Sequence, residues 1–182
     1  RKANAALVGL GRTRRILLSD TLLSDYSDEE IAVVLAHELA HHAHGDIWRG
    51  IALEAAVQSV GFYAAHRVLS EGGAGAGITD VADVAGLPIV LLVCGALSLI
   101  ARPLAHARSR AQERRADRFA INLTRNQPAF VSAMRRLAQQ NLAEERPSRL
   151  VQTLFHSHPS TAERLAIAGP AAFPPAHTRG AV

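Results

Sequence analysis

The sequence predicts a mainly α-helical fold with one small β-hairpin, an α+β chain of one domain. Three observations carry this expectation. Two short β-like runs, Asn4 to Val8 and Arg14 to Leu18, flank a turn containing Gly9, Gly11 and Arg12, the pattern of a hairpin. Two capping boxes, Ser27-Asp28-Glu29-Glu30 and Ser160-Thr161-Ala162-Glu163, each announce a helix start. Two apolar segments, Ile47 to Leu69 and Ala85 to Ala101, are long enough for helices that could cross a bilayer.

The first capping box opens a helix expected over about 28–44. Three acidic residues in its first turn suit the positive end of the helix dipole. Ile31, Val34, Leu35 and Leu39 follow at helical spacing as an apolar stripe, and Gly45 supplies the stop. Within this helix lies His37-Glu38-Leu39-Ala40-His41, an HExxH motif. Histidines four apart stand one turn apart on one face, so both can offer a ring nitrogen to one metal ion. The glutamate beside them can take a proton from water there, as a zinc peptidase requires. With nine histidines in the chain, HExxH also has a chance reading as an ordinary amphipathic helix, so its context matters.

The first apolar segment contains Glu54, Gln58 and His66. Glu71 to Gly77 is a glycine-rich loop, and the second segment carries no charge. Together they are expected to form a transmembrane helical hairpin over about 47–103, with buried core helices as the alternative. The connecting loop holds Glu71, Asp80 and Asp83, whereas the far flank holds Arg102, Arg108, Arg110, Arg114 and Arg115. By the positive-inside rule the metal-site end then faces the cytoplasm. Trp48 reads as an interface anchor. A helix over about Leu104 to Leu123 follows, then one from Pro128 to about Glu145, one over Ser148 to Phe155, and one from the second capping box to Gly169-Pro170. Residues 170–182 read as a flexible tail after a domain spanning 1–169.

Composition narrows the function classes. The 182 residues are 48% hydrophobic but only 4% aromatic, and the net charge is +4 with all but one basic residue arginine. No interleaving of basic and aromatic residues supports nucleic-acid binding, so none is expected. The single Cys94 excludes an internal disulfide. Arg1-Lys2 runs directly toward the first strand without a visible signal peptide, so the chain reads as part of a longer protein. Alanine- and arginine-rich usage points to a GC-rich bacterial genome and so to housekeeping or quality-control proteolysis; with the expected membrane hairpin, the expected location is the bacterial inner (plasma) membrane.

A catalytic zinc commonly takes three protein ligands. Glu113 is the candidate for the third, with Asp117 one turn later able to orient a ligand histidine. On spacing alone, a solvated charged helix face explains these residues as well. Arg14-Arg15-Ile16-Leu17-Leu18-Ser19-Asp20-Thr21-Leu22-Leu23, His37-Glu38-x-x-His41, Ser109-Arg110-x-x-Glu113-x-x-x-Asp117, and His158-Pro159 with Arg164 occur in an order that favours the other reading. This ordered set resembles the integral-membrane zinc metallopeptidases that include the CAAX prenyl protease of type 1 and the bacterial heat-shock membrane protease HtpX. The resemblance runs to about residue 168 and implies a zincin-like fold of the gluzincin type.

The resemblance implies one zinc ion per chain, bound by His37, His41 and Glu113. It makes Glu38 the general base and His158 a residue that contacts substrate and steadies the oxyanion. Asn4 would bind substrate backbone, Asp117 would orient a histidine, and Arg164 would support the charge network. The implied activity is a membrane zinc metalloendopeptidase with a polypeptide substrate and membrane lipid as partners. The family's N-terminal membrane helices do not occur in these residues, which leaves substrate choice open, as it does oligomeric state. Alternatives are a non-catalytic zinc-bearing membrane scaffold and a soluble zinc hydrolase. His42 and His44 are expected only to pack beside the site helix.

Overall fold

A computed structural model describes residues 3–9, 11–78, 80–140 and 148–169. The hairpin pairs β1 (Ala5–Val8) antiparallel with β2 (Arg15–Leu18), with Ala5 opposite Leu18 and Val8 opposite Arg15. A short helix, α1 (Asp20–Asp25), follows on Ser19 as N-cap. Both arms of the expected capping box then start α2 (Asp28–Ala43). Ser27 Oγ accepts from the Glu30 N–H, and Glu30 Oε2 accepts from the Ser27 N–H at 2.9 Å.

The buried stripe of α2 matches the expected one only at Val34. Val33, Ala36, His37 and Ala40 are buried, while Leu39 is 41% exposed and Ile31 and Leu35 only half-buried. The histidine face itself is the packed face, because a later helix lies against it. After α2 the chain turns at Gly45, which adopts the left-handed conformation (φ 64°) that costs a glycine little.

The two apolar segments form a pair of antiparallel helices. α3 is Asp46–Gly72, and Gly61 and Gly86 mark where its partner comes closest. A Cβ at Gly61 would meet Cys94 Sγ at 3.2 Å, and one at Gly86 would meet Leu69 at 3.1 Å. The expected division at residues 101–104 does not occur. The second apolar segment and the following helix are one rod, α4 (Leu87–Thr124), which continues through Pro103. Proline is tolerated in long apolar helices when neighbouring groups take up the freed carbonyl. The two arms also differ in character. Among the described residues, one helix, Val84–Thr124 with its preceding turn, is long and apolar enough to cross a membrane. Its best window has a mean hydropathy of 2.5 and is 6% buried. Glu54, Gln58, Ser59, His66 and Arg67 make α3 more polar.

α5 (Gln127–Gln140), α6 (Arg149–Phe155) and α7 (Thr161–Ile167) complete the fold, and the second capping box holds at Ser160 and Glu163. The expected extension of α5 to Glu145 and the expected tail at 170–182 lie outside the described residues. Val33 and Ala36 of α2, Ala120 of α4, Phe130 and Met134 of α5 and Leu165 of α7 form the main core. Leu22, Tyr26 and Val34 with Ala3 form a second cluster under the hairpin. The site lies between these clusters, on α2.

Candidate metal centre and substrate cleft

α2 presents His37 and His41 from successive turns, and α4 brings Glu113 across them. His37 Nε2 lies 3.4 Å from Glu113 Oε2, and His41 Nε2 lies 3.3 Å from Glu113 Oε1. The two Nε2 atoms are 3.2 Å apart. One ligand atom from each of the three residues falls within 4.8 Å of the other two. The three expected metal residues therefore converge.

The outer nitrogen of each ring explains why this arrangement suits a cation. His37 Nδ1 is 2.9 Å from Asp117 Oδ1, and His41 Nδ1 is 3.0 Å from Asp46 Oδ2. A carboxylate only accepts, so each Nδ1 carries the proton. In the neutral imidazoles each Nε2 is then left with a lone pair, and the two nitrogens lie 3.2 Å apart beside a carboxylate. Such a cluster of electron donors, with His37 and Glu113 both 8% exposed, needs positive charge at its centre. The two-nitrogen, one-carboxylate set fits a divalent metal with an open coordination position.

Asp117 is fully buried and is held in turn by Arg164, whose Nε donates to Oδ2 at 2.8 Å and Nη2 to Oδ1. Arg164 thus pairs with the carboxylate behind the His37 ring. Asp46 was not anticipated. It lies just past the Gly45 turn, which returns the chain beside His41, and its other oxygen accepts from Arg115 and from Gln112 Nε2 at 3.1 Å. The available signal was an acid five residues after the second histidine, behind a glycine able to reverse the chain.

In the metal-free site, burial alone would lower the His37 pKa, but hydrogen bonds with Asp117 and Glu113 outweigh it and raise it to about 9. His41 is also raised, chiefly by Glu113 and against burial, with Asp46 adding to the rise. The charges suited to a metal ion hold protons there instead.

A cleft of about 610 Å³ opens over this centre. Asn4, His37, Glu38, His41, Glu113, His158 and Arg164 line it, with Val34, Met134 and Leu137 as its apolar side. His158 has a 67% exposed side chain, and its Nδ1 lies 3.3 Å from Glu113 Oε2. Arg110, on the same helix as Glu113, donates to the carbonyls of Gln152 and His156 at 2.9 and 2.7 Å, which seats the α6 end that leads to His158. Arg110 therefore ties α4 to α6. Asn4 sits at the cleft edge with its N–H donating to Ser19 Oγ and its carbonyl accepting from the Ser19 N–H, both at 2.9 Å. His42 meets Arg14 and His44 meets the Ala40 carbonyl, beside the site as expected.

Comparison with known proteins agrees with this geometry. The uncharacterized metalloprotease YhfN of Bacillus subtilis is 34% identical over 166 residues, covering 89% of this chain and 39% of that protein. A CAAX prenyl protease 1 homolog of Oryza sativa subsp. japonica is 30% identical over 174 residues, covering 90% and 39%. A protease HtpX homolog of Campylobacter curvus is 28% identical over 169 residues, covering 83% and 58%. Among solved structures, S. mikatae Ste24p superposes with a TM-score of 0.77 at 26% identity over 92% of this chain and 42% of that one. The chain thus spans less than two thirds of each of these relatives. The model of Peptidase family M48 matches residues 1–169, all of the helices that build the site, and the chain belongs to that family.

Proposed function

We propose that this chain is the catalytic part of a membrane-associated zinc metalloendopeptidase. The observation that carries the reading is the meeting of two imidazole lone pairs and one carboxylate at the floor of a cleft that also holds Glu38. His37, His41 and Glu113 are the proposed ligands of one zinc ion. When bound, zinc supplies Lewis acidity, lowering the pKa of water toward neutrality and polarising a carbonyl oxygen.

The chain's own residues account for the rest. Asp117 and Asp46 hold the two histidines in the tautomer that frees Nε2. Glu38 takes a proton from the attacking water and delivers it to the leaving amine nitrogen. His158, whose exposed ring stands beside Glu113 at the cleft, donates to the carbonyl oxygen as that oxygen gains charge. The two-stranded sheet leaves one side of β1 unpaired among the described residues, and an extended peptide can add there beside Asn4.

The apolar part of α4 supports placement in a bacterial inner membrane, with lipid around the α3–α4 pair. Arginines cluster at the metal-site end and acids at the connecting loop, which supports a cytoplasmic site. Casein or a membrane protein serves as substrate for the test, with metal content measured in parallel. Glu38→Gln is expected to retain one zinc per chain and to lose at least about a hundredfold in turnover. Chelation should abolish cleavage by the unaltered protein. Full activity in Glu38→Gln, or zinc-free cleavage, defeats the proposal; zinc binding without cleavage in the unaltered protein would favour the scaffold alternative.

A further inference from the structure

A second pocket, of about 400 Å³, lies between α3 and α4 at the metal-site end of the helix pair, outside the cleft. Leu53 and Val57 of α3 and Leu104 of α4 form its apolar wall, and Arg102, Arg108 and Glu54 supply its charge. Arg102 directly follows the uncharged run of α4, so the pocket stands where a bilayer's polar headgroups begin.

Its arginines stand without a carboxylate partner among the described residues, Arg102 exposed and Arg108 half-buried. Neither Arg102 nor Arg108 takes part in an ion pair among the described residues, and Arg108 Nη2 is buried with no hydrogen-bond acceptor. Burying a guanidinium donor unpaired is costly, and native structures nearly always supply an acceptor. Glu54 does not: it accepts from Gln58 Nε2 at 2.8 Å and is exposed. At the metal centre Asp46, Glu113 and Asp117 have positive partners; Arg115 Nε there is also buried without an acceptor, but its Nη2 pairs with Asp46, whereas Arg108 has no ion pair among the described residues.

We propose that this pocket binds the phosphate headgroup of an anionic phospholipid, with an acyl chain against Leu53, Val57 and Leu104. A phosphate diester offers the acceptors that Arg108 lacks and neutralises Arg102, and arginine's planar fork matches phosphate geometry. Basic pockets between membrane helices on the cytoplasmic side take such headgroups, because anionic lipid is concentrated in that leaflet. The proposal rests on the membrane placement of α3 and α4 given above. It adds a specific lipid site to that placement.

The test uses the full chain in detergent, stripped of lipid and given phosphatidylglycerol or phosphatidylcholine. Lipid adducts are counted by native mass spectrometry, and flotation with vesicles of either lipid is followed in parallel. The unaltered protein should retain phosphatidylglycerol in preference. Arg102→Gln and Arg108→Gln should each lower that preference roughly fivefold, the effect expected of one arginine at an anionic surface. Arg118→Gln, an equal charge loss outside the pocket, should leave it unchanged, and zinc content should be unaltered in all three variants. Equal loss in the Arg118 variant, or no loss in the other two, overturns the lipid site while leaving membrane placement intact. Inorganic phosphate that displaces the lipid at millimolar concentration would assign the pocket to free phosphate instead, which also overturns it. Failure to float with either vesicle removes the membrane placement and the lipid site together.

Discussion

Asp46 and Asp117 perform the same task from opposite sides of the metal centre. Each takes the outer ring proton of one histidine, and each is itself neutralised by an arginine, Arg115 or Arg164. Loss of such a carboxylate generally weakens metal binding ten- to a hundredfold. Asp46→Ala is therefore expected to show roughly that drop in zinc affinity, measured by competition with a chromophoric chelator; unchanged affinity would remove Asp46 from the site. The metal-free protein carries a second residue-scale expectation. With His37 raised from 6.5 to about 9 on folding, its protonation stabilises the fold. That contribution is complete below pH 6.5 and disappears as pH rises through about 9, so chelated protein should melt at progressively lower temperature across this interval. Zinc needs the deprotonated nitrogen, so its affinity should rise over the same interval. A melting temperature that stays level from pH 6.5 to 9 after chelation would refute the assignment.

At the scale of elements, α4 links the apolar region to the chemistry. Its 38 residues span about 57 Å, with Cys94 packed on α3 at one end and Glu113 and Asp117 at the metal centre toward the other. Close approach at Gly61 sets the spacing of this pair, as small residues do between membrane helices. Gly61→Leu forces a side chain into Cys94 and should cost about 1–3 kcal/mol. Thermal unfolding in detergent measures the loss, and a zinc titration of the same variant should show weaker binding because α4 carries Glu113. An unshifted melting curve would mean that the two helices are not in close contact there. The capping box of α2 has a complementary role: Glu30 is buried, with Ser132 Oγ of α5 donating to its second oxygen, so one residue both starts the site helix and ties it to the core.

For the whole molecule, the contrast is between a well-packed half and an uncovered one. Phe130, Leu22, Val33 and Asp117 are fully buried in the packed half, whereas Leu91, Leu92 and Ile100 are 65%, 72% and 74% exposed on α4. Trp48, Phe62 and Tyr63 extend the exposed apolar surface along α3. Contiguous apolar surface of this kind marks a membrane or protein contact. The chain should sediment with membranes and resist alkaline extraction, and recovery as a monomer from detergent-free buffer would contradict its proposed placement.

Much of this was readable from local pattern. Ser27 and Glu30 mark the start of α2 because a capping box satisfies its donors within one turn. His37 and His41 share a face because 3.6 residues make a turn. The uncharged run before Arg102 is evident from composition alone. What local pattern left open depends on how helices cross. Glu113 and Asp117 read equally well as a solvated charged face until α4 lies against α2, and the Val33–Ala40 stripe became the buried one for the same reason. Asp46 gains its place only because Gly45 turns the chain back beside His41, and Pro103, a local signal for a break, lies inside the continuous α4. Hydrogen bonds within one turn are specified by neighbours in sequence; a three-sided metal centre requires distant carboxylates at fixed distances, and only the packing of α2, α3 and α4 sets those.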